Sequence, residues 1–97
     1  MATYIALVHF TDQGIRNIKQ TTERAKALSA AAAKLGVKVK DTYWTMGAYD
    51  VVLVAEAPND EAITALALTV GALGNIRTQT MRAYSAEEMS KIIAKMV

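Results

Sequence analysis

The sequence contains no cysteine, a single histidine and no long run of apolar residues. The lack of cysteine excludes disulfide bonds, thiolate metal sites and cysteine nucleophiles, and it fits a reducing compartment. One histidine offers too few nitrogen or sulfur ligands for a zinc site. No stretch approaches the about 18 apolar residues that a membrane-spanning helix needs, and the N-terminus lacks the basic and apolar regions of a signal peptide. We therefore expect a cytoplasmic protein with no metal site and no membrane span.

The sequence also lacks a large excess of positive or negative residues. Lysine and arginine number 11 against 9 acidic residues, which gives a formal net charge of +2. That charge is too small and too dispersed to indicate nucleic-acid binding. The length of 97 residues fits a single domain over residues 1–97. Hydrophobic residues make up 53% of the chain, which is rich for a domain with so small a core and indicates that a second copy covers part of its apolar surface.

Apolar periodicity predicts four strands and three helices in the order β-α-β-β-α-β-α. The strands are predicted at 3–10, 37–46, 49–57 and 76–84, and the helices at about 22–35, 60–73 and after Ser85. Gly47-Ala48 fits the two-residue loop of a hairpin with a type II′ turn. Ser85 and Glu88 have the spacing of a capping box, which marks the start of the last helix.

This order predicts an α+β fold, a ferredoxin-like β-α-β-β-α-β sandwich with a C-terminal helix. Its four-stranded antiparallel sheet would carry helices on one face only. Yet Val51–Ala55 is apolar at every position, which indicates a strand that is buried on both faces. Covering the second face with the same face of another copy gives a two-fold homodimer, a dimeric α+β barrel. The alternative is that the terminal helix covers part of this face, although one short helix cannot cover four strands.

Three segments resemble a known family. Tyr43–Asp50 (YWTMGAYD), followed by the apolar strand, is similar to the Gly-x-Tyr-Asp signature of the GYD domain family, which consists of small bacterial and archaeal proteins. Phe10–Arg16 (FTDQGIR) and Leu73–Thr80 (LGNIRTQT) resemble the family's opening and its fourth strand. The resemblance covers essentially the whole chain. It implies a dimeric α+β barrel and brings no established activity with it.

A more distant resemblance is to the effector-binding domain of leucine-responsive (Lrp/AsnC) regulators. It is carried by Gly47-Ala48-Tyr49-Asp50, by Gly74-Asn75-Ile76 and by the alternating Thr78 and Thr80. Domains of that family bind small molecules, typically amino acids, at interfaces between subunits. No helix-turn-helix precedes the domain in this sequence. The resemblance therefore implies ligand sensing without direct readout of DNA.

Asp50 is the first candidate site residue, because a carboxylate at the start of an apolar strand is costly unless it is paired or hydrogen-bonded. Across the glycine turn, Thr45 would pair with Asp50 on the same face as Tyr43, while Trp44 and Tyr49 would share the opposite face and wall an apolar pocket. Such a carboxylate can bind an amine or act as a base. The alternatives are structural: Asp50 bonded to backbone amides or to an arginine across the dimer, and aromatic side chains that belong to the core or to an interface.

His9 and Arg77 complete the candidate site. His9 can serve as a general base or a haem ligand, and Arg77 can bind a carboxylate. We expect the first and third strands to run parallel, which would place His9 and Asp50 roughly 20 Å apart and exclude a dyad within one chain. The alternatives are a solvated or hydrogen-bonded histidine and a solvated or ion-paired arginine.

The sequence therefore predicts a homo-oligomeric, non-catalytic protein that binds a small molecule at or near a subunit interface, close to the 47–50 turn. No cofactor is expected, and the expected partners are a second copy of the chain and the ligand. One alternative is a small dimeric α+β barrel enzyme of the monooxygenase, isomerase or haem-handling type that uses Asp50 or His9. Another is a structural subunit of a larger ring such as a hexamer.

Overall fold

The computed structural model describes residues 1–97, and its elements follow the predicted order with one additional short helix after the first strand. The strands are β1 (Ala2–Phe10), β2 (Lys38–Trp44), β3 (Val51–Ala57) and β4 (Ile76–Ala83). The helices are α1 (Asp12–Arg16), α2 (Thr21–Lys34), α3 (Asp60–Ala72) and α4 (Ala86–Ile93), with a 3₁₀ turn at Ile18–Gln20. None of these helices has the length and hydrophobicity needed to cross a membrane.

The four strands form one sheet in the order β2-β3-β1-β4, and every neighbouring pair is antiparallel. This confirms the predicted ferredoxin-like α+β fold. The expectation that β1 and β3 run parallel is wrong. The crossover through α2 makes β2 parallel to β1, and the following hairpin then reverses the chain, so β3 must run against β1. Val8 of β1 lies opposite Val51 of β3.

The core lies between the sheet and the helices. Alternate residues of the two central strands point toward it, because successive side chains of a strand face opposite sides of the sheet. Val8 in β1 is only 2% exposed, and Ala32 of α2 is fully buried on the helix side of the sheet. The other buried apolar side chains on this side include Val51, Leu53, Ala55, Ile63, Leu66 and Val70. The apolar stripes predicted for α2 and α3 therefore cover one face of the sheet.

A tyrosine–carboxylate bond fixes α3 over the sheet. The ring of Tyr4 is buried in the core, and its hydroxyl donates to Asp60 Oδ1 in the first turn of α3. This bond is the main reason why the pKa of Tyr4 is raised, and burial of the ring adds to the shift. At its start, α3 is also capped by Asn59, whose side chain accepts from the Ala62 amide at 2.9 Å.

The last helix, α4, leaves the body of the domain. Its predicted capping box is present: Ser85 Oγ accepts from the Glu88 amide (3.1 Å), and Glu88 accepts from the Ser85 amide (3.0 Å). That amide, followed by the guanidinium of Arg82, lowers the pKa of Glu88. The predicted apolar stripe stays exposed to solvent and consists of Met89, Ile92 and Ile93 in α4 and Met96 just beyond its end. Because the stripe is exposed, α4 does not supply the cover that the sheet's second face lacks.

The second face of the sheet has no helix on it, and we call it the open face. Along β3 it carries Val52 and Val54, both half-buried, so the predicted apolar character of both faces of β3 is confirmed. Neighbouring strands extend the apolar area with Ile5, Leu7 and Met81. A wide apolar surface therefore lies in the middle of the sheet with nothing of this chain above it.

Gly14 in α1 lies directly against the backbone of Asn75, the residue before β4. A Cβ at this position would lie 2.1 Å from the carbonyl oxygen of Asn75, so the Gly14→Ala variant must push α1 away from the start of β4. We expect Gly14→Ala to lower the free energy of unfolding by about 1–3 kcal/mol, measured by urea denaturation.

Gly71 in α3 is the matched control, because a Cβ there meets no atom within 4 Å. Gly71→Ala should raise the free energy of unfolding by up to about 1 kcal/mol, since alanine has the higher helix propensity. Equal effects of the two substitutions would contradict the packing described for α1.

Candidate functional site

Asp50 ends the hydrogen-bond ladder between the two central strands. Its own amide donates to the Val8 carbonyl at 2.8 Å, and its carboxylate oxygen Oδ2 accepts from the Phe10 amide at 2.8 Å. The Asp50 carboxylate thus accepts the hydrogen bond of a β1 amide that has no partner within β3, because β3 begins only at Val51. Of the roles predicted for Asp50, a bond to a backbone amide is the one that the structure contains.

The hydrogen bonds of the turn between β2 and β3 are mainly between residues of the turn itself. The Thr45 amide donates to the Asp50 carbonyl at 2.8 Å, which confirms the predicted Thr45–Asp50 pairing. The Thr45 hydroxyl donates to the Tyr49 carbonyl at 2.6 Å, and Gly47 has the positive φ of +108° that the turn requires. Tyr43 lies opposite Val52 and is 60% exposed. Asp50 and Thr45 are therefore both committed to the backbone of the turn.

Trp44 and Tyr49 do not share a face, so the prediction that they wall one pocket is wrong. Trp44 pairs with Val51, and its indole Nε1 donates to Thr21 Oγ1 at 3.0 Å, on the helix side of the sheet. Tyr49 instead packs against the ring of His9, with ring centroids 4.6 Å apart. The reason is that β3 begins only at Val51, so the two-residue alternation used for the prediction does not extend into the turn.

His9 lies at the end of β1 that meets the turn. Because β1 and β3 are antiparallel, its neighbour across the ladder is the start of β3, and the expected separation of roughly 20 Å from Asp50 is wrong. His9 nevertheless forms no hydrogen bond with Asp50. Its ring packs on Tyr49, whose hydroxyl donates to Gln79 Oε1 at 3.0 Å. His9, Tyr49 and Gln79 thus form a polar cluster beside the apolar part of the open face.

Arg77 turns away from this cluster. Its backbone pairs with His9, but its Nη1 donates to the Gly71 carbonyl at 3.2 Å and to the Ile76 carbonyl at 3.0 Å. It therefore satisfies a carbonyl in the last turn of α3, a position where a cation also interacts favourably with the helix dipole. The structure does not bring Arg77 and Asp50 together in one carboxylate- or amine-binding site.

The helix side of the sheet contains a cavity that was not predicted from the sequence. It has a volume of about 150 Å³ and lies between α2, α3 and the sheet. Phe10, Val8 and Val51 form its floor, and Trp44 is the one predicted site residue in its wall. A signal for it is present in the sequence: α2 faces the cavity with Ala25, Ala27 and Ala31, whose side chains are too small to fill the space.

Comparison with known proteins places these features in a family. The family model for the GYD domain matches residues 4–93. A similar protein from Thermus thermophilus, described as a glutamine synthetase and cystathionine beta-lyase binding protein, is 29% identical over 90 residues, which are 92% of this chain and 95% of the relative. The crystal structure of TTHA0845 from the same organism matches with a TM-score of 0.57 and 25% identity, and the match covers 89% of this chain and 96% of that one.

A structural role for Asp50 leads to a specific expectation for its variants. Asp50→Ala leaves the half-buried Phe10 amide without an acceptor, so it should lower the free energy of unfolding by about 1–3 kcal/mol. Asp50→Asn keeps an oxygen at the same place and should cost clearly less. Chemical denaturation of the two variants measures the difference, and equal destabilisation would show that the bond to Phe10 contributes little.

Proposed function

This chain belongs to the GYD domain family, and we propose that it is a homodimeric binding protein that carries out no reaction of its own. Two copies would join through the open face of the sheet, and the dimer would bind other proteins. The observation that carries the proposal is the amount and position of apolar surface that one copy leaves uncovered.

One copy exposes more surface than a compact monomer of its size. Its accessible surface is 6533 Å², whereas a folded monomer of this mass typically exposes about 5,400 Å². The radius of gyration, 14.6 Å, likewise exceeds the about 12.5 Å typical of a domain with this number of residues. The surplus of about 1,100 Å² includes the projecting helix α4 as well as the open face, and it is of the same order as the roughly 800 Å² that each partner buries in a stable dimer.

The uncovered apolar surface favours pairing of like faces. In the middle of the open face, Ile5, Leu7, Val52 and Val54 form a continuous apolar group that spans both central strands. A patch of this kind on both copies is complementary to itself under a two-fold axis. Charged side chains lie toward its borders, for example the Lys40–Glu56 pair at 3.6 Å, which matches the polar rim of known interfaces.

The groups expected for catalysis have little freedom to act. Asp50 is engaged by the Phe10 amide, and His9 has neither a carboxylate nor another hydrogen-bond partner to orient it. General acid–base catalysis needs such a positioned group. The 47–50 turn likewise offers few free groups to a small-molecule ligand, since the Thr45 hydroxyl bonds to the backbone, so the proposal does not place a ligand there.

Protein partners are suggested by the Thermus relative, whose name states that it binds glutamine synthetase and cystathionine beta-lyase. We assign the corresponding surface of this chain to the exposed stripe of α4. Met89, Ile92, Ile93 and Met96 follow the spacing of a helix that docks its apolar face into a groove. The capping box and the Arg82–Glu88 pair at 3.2 Å hold the start of this helix in place.

The first experiment measures mass in solution. The wild-type chain of 10.5 kDa should sediment at twice that mass, and Val54→Asp, which places a carboxylate in the centre of the open face, should sediment as the monomer. Ala30→Asp on the exposed side of α2 is the matched control and should stay dimeric. A wild-type chain that remains monomeric at all concentrations would overturn the dimer, and a sixfold mass would favour the ring instead.

The second experiment tests the protein partner. Glutamine synthetase and cystathionine beta-lyase from the source organism of this chain are immobilised, and binding of the wild-type protein is measured by interferometry. We expect at least one of them to bind, and Ile93→Glu to weaken binding at least tenfold because an apolar anchor is lost. Lys91→Glu, on the side of α4 opposite the apolar stripe, should have little effect. Failure of both enzymes to bind, or equal loss in both variants, would contradict the assignment.

A further inference from the structure

We propose that the cavity between α2, α3 and the sheet binds a small carboxylic acid with an apolar body, whose carboxylate is held by Arg24. This site lies on the side of the sheet opposite the open face. Its occupancy therefore does not depend on the homodimer proposed above, and either proposal can fail without the other.

The cavity has the size and lining of a site for an apolar group. Its volume of about 150 Å³ equals that of cavities that stay dry and take up a benzene-sized molecule. Its wall is mainly aliphatic and aromatic, and the few polar side chains lie among apolar ones, which is the usual composition of a ligand pocket. A phenyl ring or a branched alkyl group of about four carbons would match this space.

The walls are held in place by hydrogen bonds rather than by close packing alone. At one end, the indole of Trp44 donates to Thr21 Oγ1 at 3.0 Å, which links β2 to the start of α2. The floor is fixed where the Phe10 amide donates to Asp50 at 2.8 Å. Small alanine side chains on α2 keep the helix from filling the space. The cavity is therefore largely formed before any ligand arrives, which lowers the cost of binding.

Arg24 is the single charged residue in the cavity wall. Its Nη1 donates to the Asn17 carbonyl at 2.6 Å and its Nη2 to the Gly14 carbonyl at 3.3 Å, so the guanidinium is oriented by two backbone groups. No carboxylate of the chain forms an ion pair with it. A guanidinium carries five N–H donors, so donors remain for an incoming carboxylate.

The other polar groups of the wall favour an anion over a neutral polar ligand. The Thr69 hydroxyl already donates to the Ala65 carbonyl (2.7 Å), Thr21 Oγ1 already accepts from Trp44, and Asn75 Oδ1 already accepts from Gln13 Nε2 (3.0 Å). Thr21 is also the first residue of α2, and no side chain caps this helix start, so the positive end of its dipole adds to the charge of Arg24. The charged head of the ligand would therefore lie at the α2 side and its apolar body would point toward Phe10.

The test compares phenylacetate with phenylacetamide, which have the same shape and differ in charge. Titration is followed by calorimetry and by amide and indole N–H shifts in NMR spectra of the full chain. We expect phenylacetate to bind at least tenfold more tightly, to shift the Trp44 indole signal and to weaken as salt is added. Equal binding of the two compounds, binding of neither, or shifts confined to the open face would overturn the proposal.

Two variants test the charge of Arg24 and the volume of the cavity separately. Arg24→Gln should remove the preference for phenylacetate while leaving the weak binding of phenylacetamide. Ala25→Leu should fill the cavity, abolish binding of both compounds and leave the mass in solution unchanged. Lys26→Gln, which removes a neighbouring positive charge outside the cavity, is the control and should bind phenylacetate like the wild type. If Arg24→Gln does not fold, the salt dependence of the wild type and the Ala25→Leu result still decide the proposal.

Discussion

The register between β1 and β3 is the constraint on which the rest of this structure depends. These strands form the centre of the sheet, and a slip of one residue would exchange the side chains of its two faces. With Val8 opposite Val51, one set of side chains faces the helices and the other faces outward. Asp50 fixes this register at the end of the ladder, where its carboxylate bonds to the Phe10 amide. The sheet thus has one face that its helices cover incompletely and one that they do not cover at all.

The fold could be predicted from the sequence because its signals are local. The alternation in β1 and the capping box at Ser85 each act over a few residues, and both are present where expected. Gly47 has a positive φ, but the loop between β2 and β3 spans residues 45–50 rather than the two residues predicted. The pairing of Thr45 with Asp50 followed from the same turn. The direction of β3 relative to β1 also follows from connectivity alone, because the crossover makes β2 parallel to β1 and the hairpin then reverses the chain, so the expectation of a parallel pair is wrong.

The candidate site was harder to predict, since it depends on contacts between distant elements. Alternation placed Tyr49 beside Trp44, but the chain leaves the strand geometry before Val51, and Tyr49 turns to His9 instead. The cavity depends on the distance between two helices, which no local pattern encodes. The bond from Tyr4 to Asp60 was missed too, although a tyrosine at a core position of a strand needs a partner for its hydroxyl and so carries a usable signal.

Phe10 lies between the cavity that we propose for a ligand and the face that we propose for a second copy. Its ring lies in the cavity floor, while its amide is held by Asp50 at the end of the open face where His9 and Tyr49 meet. A ligand that contacts this ring and a second copy that contacts the histidine–tyrosine pair would act on the same strand end from opposite sides. If monomer and dimer differ in ligand affinity, this shared strand end is one route for the coupling, because a ligand shifts an equilibrium only through differential contacts with the two states.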